Sequence, residues 1–302
     1  MNAQQLILSL VLATMVFAVA LDLKLADFQR VAQAPRAIFA GLFPQFVLLP
    51  VGTWLLTLAV DLPPNIEAAM LLVAACPGGN LSNFVTHFGR GNTALSVSLT
   101  ACASVIAVVA MPFNFGWMIA NNPATATWLI DLKIDPTEIW ISVVGILAIP
   151  MALGLLCAHR LPTLTQRIKK PLANFSLVAL LLFIVAGLIA KRQLLTLGLL
   201  PTFGLVVAHN AVGLLLGYLS SVAMRMRVPE RRAIMIEVGM QNSGLALGII
   251  AVQFNSDLGM VTIASLWGIW HIVSGLSCAS FWRWRDARSG GAAQPASSGA
   301  PM

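Results

Sequence analysis

Charge is scarce in this sequence. Only 10% of its 302 residues are Asp, Glu, Lys or Arg, against roughly 25% in a soluble domain, while 58% are hydrophobic. No connection between the apolar segments is long enough to hold a soluble domain, and the first segment lacks the basic leader of a cleavable signal. Apolar segments of this length must satisfy their backbone internally, which predicts an all-α polytopic membrane protein.

Cysteines with informative spacing are also absent. The four cysteines all lie in apolar segments without paired or metal-type spacing, which favours small packing residues over ligands; they are Cys76, Cys102, Cys157 and Cys278. The net charge of +7 does not indicate nucleic acid, because the basic residues fall at the ends of apolar segments, as in cytoplasmic loops. We expect a lipid bilayer around the chain, no nucleic acid and no obligatory protein partner.

Nine apolar segments follow one another along the chain. They predict membrane spans at about 4–22, 36–60, 66–88, 93–119, 138–158, 171–190, 195–223, 231–254 and 258–282. Nearly all of the 18 basic residues fall in one set of connections, which places the N-terminus outside and the C-terminus in the cytoplasm, in a bacterial inner membrane. The tail 286–302 is rich in Ala, Ser, Gly and Pro, and we expect it to be disordered.

Two of these spans are interrupted. The third contains Pro77-Gly78-Gly79, and proline and glycine destabilise a helix interior by roughly 3 and 1 kcal/mol. The eighth contains two glycines and several polar residues within 236–244. If spans one to four (about 4–119) and six to nine (about 171–282) are repeats joined by span five (about 138–158), each break is third in its repeat. That pattern predicts an inverted repeat with two crossed discontinuous helices in one transporter domain, 1–285.

Glu237 is the one acidic residue that falls well inside a predicted span. A carboxylate at that depth costs at least about 2.5–3.5 kcal/mol, so it marks an ion or substrate pathway. Unwound carbonyls and Glu237 together suit a hard cation such as sodium. The half-helices that begin near Asn80 and Asn242 direct backbone N–H groups toward the same depth, which favours an organic anion.

Other polar residues in the spans support this interpretation less strongly. Ser96 and Thr100 share one helix face and suit the same ion, although such hydroxyls also bond their own helix. Gln45 suits either an ion or a neighbouring helix. We expect interhelical hydrogen bonds from His209 and Asn210, while for His271 packing and a substrate-facing role stay equally open.

Several motifs resemble those of the bile acid:sodium symporter family. They are the segment from Glu237 to Gly244, Pro77-Gly78-Gly79-x-x-Ser82-Asn83, the run at 94–98 and Trp270-His271. The resemblance covers all nine spans. It implies a core domain of spans two to four and seven to nine that moves against a panel domain of spans one, five and six.

The resemblance also implies two sodium ions and their ligands. The first site would use Ser82, Asn83, Ser96, Thr100 and Glu237. The second would use Gln45, Glu237, Gln241 and the backbone oxygens of Val238 and Met240. The substrate would contact Asn80, Leu81, Asn242 and His271. Asn80-Leu81 and His271-Ile272 depart from the common family pattern, so we expect a small 2-oxo or 2-hydroxy acid such as pantoate, or a bile-acid-like compound.

Three alternatives remain at this point. A lone buried carboxylate also suits a proton-coupled organic acid transporter. An arsenite-efflux exporter of the same superfamily would use Cys76 as a soft ligand. An intramembrane enzyme would need a second acid, a nucleophile–base pair or a metal set at depth, and the sequence offers none, so we predict that the protein is not an enzyme.

Overall fold

The regular elements of this chain are helices throughout the described part. The computed structural model describes residues 3–132, 136–190 and 199–288. The first half contains α1 (Ala3–Asp22), α2 (Leu25–Gln33), α3 (Pro35–Phe43), α4 (Leu49–Ala59), α5 (Pro64–Ala75), α6 (Leu81–Phe88) and α7 (Thr93–Asn121). A π-helical turn, Pro44–Leu48, joins α3 to α4. The second half contains α8 (Pro123–Asp131), α9 (Pro136–Arg160), α10 (Pro162–Ala190), α11 (Leu199–Ala223), α12 (Val228–Gly239), α13 (Ser243–Gln253) and α14 (Leu258–Arg288).

Five helical stretches of the described residues are long and apolar enough to cross a bilayer. They are Pro35–Ala59, Thr93–Asn121, Val143–Arg160, Leu200–Ala223 and Leu258–Arg288. Three shorter apolar helices accompany them: Ser9–Asp22, Pro64–Ala75 and Ser243–Gln253. This all-helical, apolar architecture is the one expected of a polytopic membrane protein.

Two helices extend beyond their predicted ends. Helix α10 begins at Pro162 rather than near 171. Proline is well tolerated at the first position of a helix, because a backbone N–H there would have no partner within the helix. Helix α14 continues to Arg288 rather than ending near 282, and Asp286 within this extension is ion-paired to Arg232 at 2.7 Å. Residues 286–288 are therefore helical, while the rest of the predicted disordered tail and the predicted start of span seven lie outside the described residues.

Both predicted interruptions are present. Helix α5 ends at Ala75 and α6 begins at Leu81, while α12 ends at Gly239 and α13 begins at Ser243. The two breaks meet: Gly79 donates its N–H to the Met240 carbonyl at 3.1 Å, and Asn242 donates to the Pro77 carbonyl at 2.8 Å. The antiparallel contact between Gly78 and Gln241 satisfies backbone groups that the lost helical turns leave unpaired.

Small residues allow the broken helices to lie close to their neighbours. A Cβ on Gly217 of α11 would stand 2.9 Å from the Ile234 carbonyl oxygen of α12, and one on Gly213 would stand 3.1 Å from the Val238 oxygen. Helix α1 packs against α9, α10 and α13, and α14 packs against α5, α11 and α13. The crossing of the breaks is thus enclosed by helices from both halves of the chain.

Candidate functional site

The Glu237 carboxylate lies at the crossing of the two breaks. Its side chain is buried, and Ser82 of α6 donates a hydroxyl to Oε2 at 2.6 Å. Thr100 of α7 lies 3.0 and 2.9 Å from Oε1 and Oε2. Since these residues come from α12, α6 and α7, the carboxylate joins both broken helices to an unbroken one. No Lys or Arg of the described residues forms an ion pair with it.

Further oxygens surround the same carboxylate. Thr100 Oγ1 lies 3.3 Å from Asn83 Oδ1 and 3.0 Å from the Ser96 carbonyl oxygen. The Ser96 hydroxyl instead donates to Thr86 at 3.3 Å. Carboxylate, hydroxyl, amide and carbonyl oxygens are the ligands that hard cations prefer. We call Ser82, Asn83, Thr100, Glu237 and the Ser96 carbonyl the first oxygen cluster.

A second polar group adjoins the ends of α5 and α12. Gln45 Nε2 donates to Gln241 Oε1 and to the Cys76 carbonyl, both at 2.7 Å, and Gln241 Nε2 donates to the Val238 carbonyl at 2.7 Å. Gln45 and Gln241 are fully buried. Gln45 sits in the π-helical turn, an irregularity that is frequent at functional sites. We call Gln45, Gln241 and the carbonyls of Cys76, Val238 and Met240 the second polar cluster.

A cavity of ≈ 440 Å³ reaches the first oxygen cluster. Asn80, Asn83 and Thr100 line one part of it. Charged residues line another part: Asp22, Lys24, Asp27, Arg30 and Lys169. Arg30 pairs with Asp27 at 2.8 Å and Lys169 with Asp22 at 2.9 Å. The cavity therefore connects charged residues of α1, α2, α10 and the α1–α2 connection to the side chains of Asn83 in α6 and Thr100 in α7.

The four residues that the resemblance assigns to the substrate do not share one cavity. Asn80 lines the larger cavity, and Leu81 is exposed beside it. Asn242 caps α13 by accepting the Leu245 N–H at 3.0 Å, and it lines a separate cavity of ≈ 20 Å³. His271 is buried in α14 and lines neither cavity.

The expected interhelical bonds of span seven are confirmed. His209 Nε2 lies 2.7 Å from Thr53 Oγ1 of α4, and Asn210 donates to the Gly239 carbonyl at 2.7 Å. Sequence reasoning did not find Glu67 and Asn122, which are buried and hydrogen-bonded to each other at 2.8 Å. Their places at the ends of α5 and α7 made them look like loop residues. The sequence did contain one related signal. Thr53 and Thr57 are spaced i, i+4 and so place two hydroxyls on one face of α4, and Thr57 accepts a hydrogen bond from Asn122.

Two observations concern the enzyme and arsenite-exporter alternatives. Among the described residues, no three His, Cys, Asp or Glu side chains come together to hold a metal ion. Cys76 is fully buried and lines neither cavity, so nothing in its surroundings supports a soft-ligand role.

Comparison with known proteins gives the chain a family. Residues 9–197 match the family described as Sodium Bile acid symporter family. The chain is 31% identical over 275 residues to the "Uncharacterized sodium-dependent transporter YocS" of Bacillus subtilis, covering 91% of this chain and 82% of that protein. It is 30% identical over 265 residues to the "Probable sodium/metabolite cotransporter BASS1, chloroplastic" of Oryza sativa, covering 87% of this chain and 62% of the relative.

A mammalian relative carries a substrate class in its name. The "Sodium-dependent organic anion transporter" of Mus musculus is 29% identical over 252 residues, covering 80% of this chain and 64% of the relative. The chain thus spans less than two thirds of the rice and mouse proteins. All three relatives are named as transporters, not enzymes. The chain belongs to the sodium bile acid symporter family of membrane transporters.

Proposed function

We propose that this protein is a sodium-coupled symporter that imports a small organic anion by alternating access. The observation that carries the proposal is the buried Glu237 carboxylate, which contacts Ser82 and Thr100 where the two broken helices cross. A carboxylate in that position needs a cation or a proton to offset its burial. The surrounding oxygens suit sodium better than a proton, because a proton needs one acceptor while sodium needs several.

The first oxygen cluster supports one sodium site. Ser82, Thr100 and Glu237 lie within hydrogen-bond distance of one another, and Asn83 lies within that distance of Thr100. An ion between them would replace hydrogen bonds with short contacts to the same oxygens. Ser96 would contribute through its carbonyl, because its hydroxyl is directed to Thr86.

The second polar cluster supports the other sodium site. Gln45, Gln241 and the Val238 carbonyl form one buried hydrogen-bonded group, and the Met240 carbonyl keeps a second lone pair beside its bond to Gly79. An ion there requires Gln241 to turn its amide oxygen, rather than its nitrogen, toward the Val238 carbonyl. Glu237 belongs to the first oxygen cluster and directly precedes Val238 of the second polar cluster, so its charge would offset that of both ions.

The arrangement of helices supports an alternating-access mechanism. In this proposal the transporter domain 1–285 crosses the membrane nine times, as two inverted repeats, with the N-terminus outside a bacterial inner membrane. The panel would comprise α1, α9 and α10, which pack on one another. The core would comprise the two broken helices, α5–α6 and α12–α13, together with α3, α4, α7, α11 and α14. Movement of the core against α1 would open the crossing to either side in turn.

The cargo proposed is a 2-oxo or 2-hydroxy acid such as pantoate. Asn80 and Asn83 supply amides in the larger cavity, and Lys24 lines the same cavity with no carboxylate within ion-pair distance among the described residues. One unmatched positive charge suits a monocarboxylate. The names of the mouse and rice relatives, an organic anion transporter and a sodium/metabolite cotransporter, agree with this class.

Thermal unfolding of the purified protein tests the proposal. The melting temperature is measured in sodium chloride and in potassium chloride at equal ionic strength, with and without a panel of organic acids. A ligand at a hundredfold excess over its dissociation constant stabilises the folded state by about 2.7 kcal/mol. We expect sodium-specific stabilisation that one acid increases and Glu237→Ala abolishes. Equal melting temperatures in both salts contradict the proposal, and stabilisation by lowered pH alone indicates proton coupling.

A further inference from the structure

A row of buried polar residues runs from the outer end of α5 to the second break. Its members are Glu67, Asn122, Thr57, Thr53, His209 and Asn210, and each is at most 3% exposed. We call these six residues the outer polar row. Polar residues buried at membrane depth are rare, and when present they mark ion or substrate pathways. None of the six belongs to the ion ligands proposed above.

The outer end of the row contains a carboxylate. Asn122 donates its amide to Glu67 Oε2 at 2.8 Å and lies 3.1 Å from Thr57 Oγ1. No Lys or Arg of the described ranges pairs with Glu67, and Asp61 adds a second acid to the adjoining connection. The outer end therefore carries negative charge that attracts cations.

The inner end of the row reaches the break. Thr53 lies one turn below Thr57 on the same face of α4, and its Oγ1 is 2.7 Å from His209 Nε2. The next residue, Asn210, donates to the Gly239 carbonyl at 2.7 Å. That carbonyl stands between those of Val238 and Met240, which belong to the second polar cluster. Polar side chains thus follow one another from the outer end of α5 to the second polar cluster, with hydrogen bonds at both ends of the row and one helical turn between Thr57 and Thr53.

The row leaves several acceptor atoms unused. Thr53 donates its hydroxyl proton to the Leu49 carbonyl, so it accepts from His209 Nε2–H, and His209 Nδ1 is then an acceptor. His209 Nδ1 and Asn210 Oδ1 are buried without a hydrogen-bond partner among the described residues. The nearby indole N–H groups of Trp54 and Trp267 are also unpaired. Unpaired buried groups of this kind are uncommon in folded proteins, and a partly hydrated cation would serve both the acceptors and the donors.

We propose that the outer polar row is the route by which sodium reaches the second polar cluster from outside. The inference rests on the proposed sodium-coupled function. In this proposal the ion does not pass through the ≈ 440 Å³ cavity on its way in from outside, and the lining of that cavity includes none of the six residues. Glu67 concentrates the cation at the entrance, and Thr57, Thr53, His209 and Asn210 then offer acceptors in succession.

Cysteine accessibility tests the route. Thr57→Cys is made in the full chain with its four native cysteines replaced by alanine, and intact cells are treated with a small cationic methanethiosulfonate or its anionic counterpart. We expect the cationic reagent to react about tenfold faster, equivalent to about 1.4 kcal/mol of attraction. Sodium chloride should slow the reaction relative to potassium chloride, and Glu67→Gln should remove the preference for positive charge.

Leu58→Cys is the matched control, because it lies next to Thr57 on α4 and is 45% exposed on the outside of the helix bundle. Its reaction should show neither charge preference nor protection by sodium. A second variant, Asp257→Asn, removes an acid that bonds Asn65 instead of the row and should leave Thr57→Cys reactivity unchanged.

Two results would overturn the route. One is a Thr57→Cys thiol that does not react, or that reacts at the same rate in sodium chloride and in potassium chloride. The other is a thiol that reacts faster from the cytoplasmic side, in inverted vesicles, than from outside intact cells. Melting temperatures of the same protein in sodium and potassium chloride separate the two proposals. Sodium stabilisation with an unreactive Thr57→Cys contradicts the route alone, whereas no sodium stabilisation contradicts both.

Discussion

Ser82 and Glu237 are 155 positions apart in the chain, yet the Ser82 hydroxyl donates to the Glu237 carboxylate at 2.6 Å. The contact joins the first residues of α6 to the last turn of α12, and so couples the two broken helices through one side chain each. Any ion held by Glu237 therefore acts on both breaks together. This is the physical basis for expecting ion binding to order the crossing.

Removing one hydroxyl from the first oxygen cluster should weaken sodium binding. We expect Thr100→Val to raise the sodium concentration for half-maximal thermal stabilisation by about tenfold, since losing one buried polar contact costs about 1–3 kcal/mol. Ser98→Ala is the control on the same helix, because the Ser98 hydroxyl is buried but bonds the Ala94 carbonyl of its own helix. Equal effects of both variants would assign the result to α7 packing.

Gly78 should be intolerant of a side chain because of Glu237. A Cβ at Gly78 would overlap the Glu237 carboxylate, whereas one at Gly79 would meet its nearest neighbour at 3.8 Å. We expect Gly78→Ala to abolish sodium-dependent stabilisation and Gly79→Ala to retain it. The measurement is the melting temperature of each purified variant as sodium chloride is added. Loss of sodium-dependent stabilisation in Gly79→Ala alone would contradict this account of the crossing.

The second polar cluster should determine the number of ions. If Gln45 and Gln241 hold a separate sodium, Gln241→Ala should reduce the Hill coefficient of sodium-dependent stabilisation from near two toward one. Asn121→Ala, which removes an amide that donates to the Trp117 carbonyl of its own helix, should leave the coefficient unchanged. A wild-type coefficient near one would contradict the cooperative binding of two ions.

Arg232 should be a major determinant of stability. It is buried, forms two hydrogen bonds to Asp286 at 2.8 and 2.7 Å, and donates to the Gly89 carbonyl at 3.0 Å. Removing one partner of a buried ion pair typically costs about 3–5 kcal/mol. We expect Arg232→Ala to lower the melting temperature strongly.

The comparison for that prediction is Arg227→Ala. Arg227 also pairs with an acid, Glu230, at 2.7 Å, but its side chain is 82% exposed, and exposed pairs contribute about 0–1 kcal/mol. A similar loss of melting temperature in both variants would mean that burial of the Arg232 pair has no special effect.

Local properties of the sequence were sufficient to predict the membrane class and the breaks. Pro77-Gly78-Gly79 interrupts a helix because proline lacks a donor and glycine has no Cβ, and neither effect depends on the rest of the chain. The i, i+4 spacing of Ser96 and Thr100 likewise fixed a shared helix face. It did not fix their partners: Thr100 contacts Glu237, while the Ser96 hydroxyl contacts Thr86.

The meeting of distant residues was decided by the tertiary structure. Packing of α4 on α5, α7 and α11 brought Thr57 to Asn122 and Thr53 to His209, and burial in α14 kept His271 away from both cavities. The sequence determined where helices form and break, because those preferences act within a few residues. Only the packed helices determined which side chains share a site, because contacts between helices depend on crossing geometry and join residues 65 to 156 positions apart in the two contacts above.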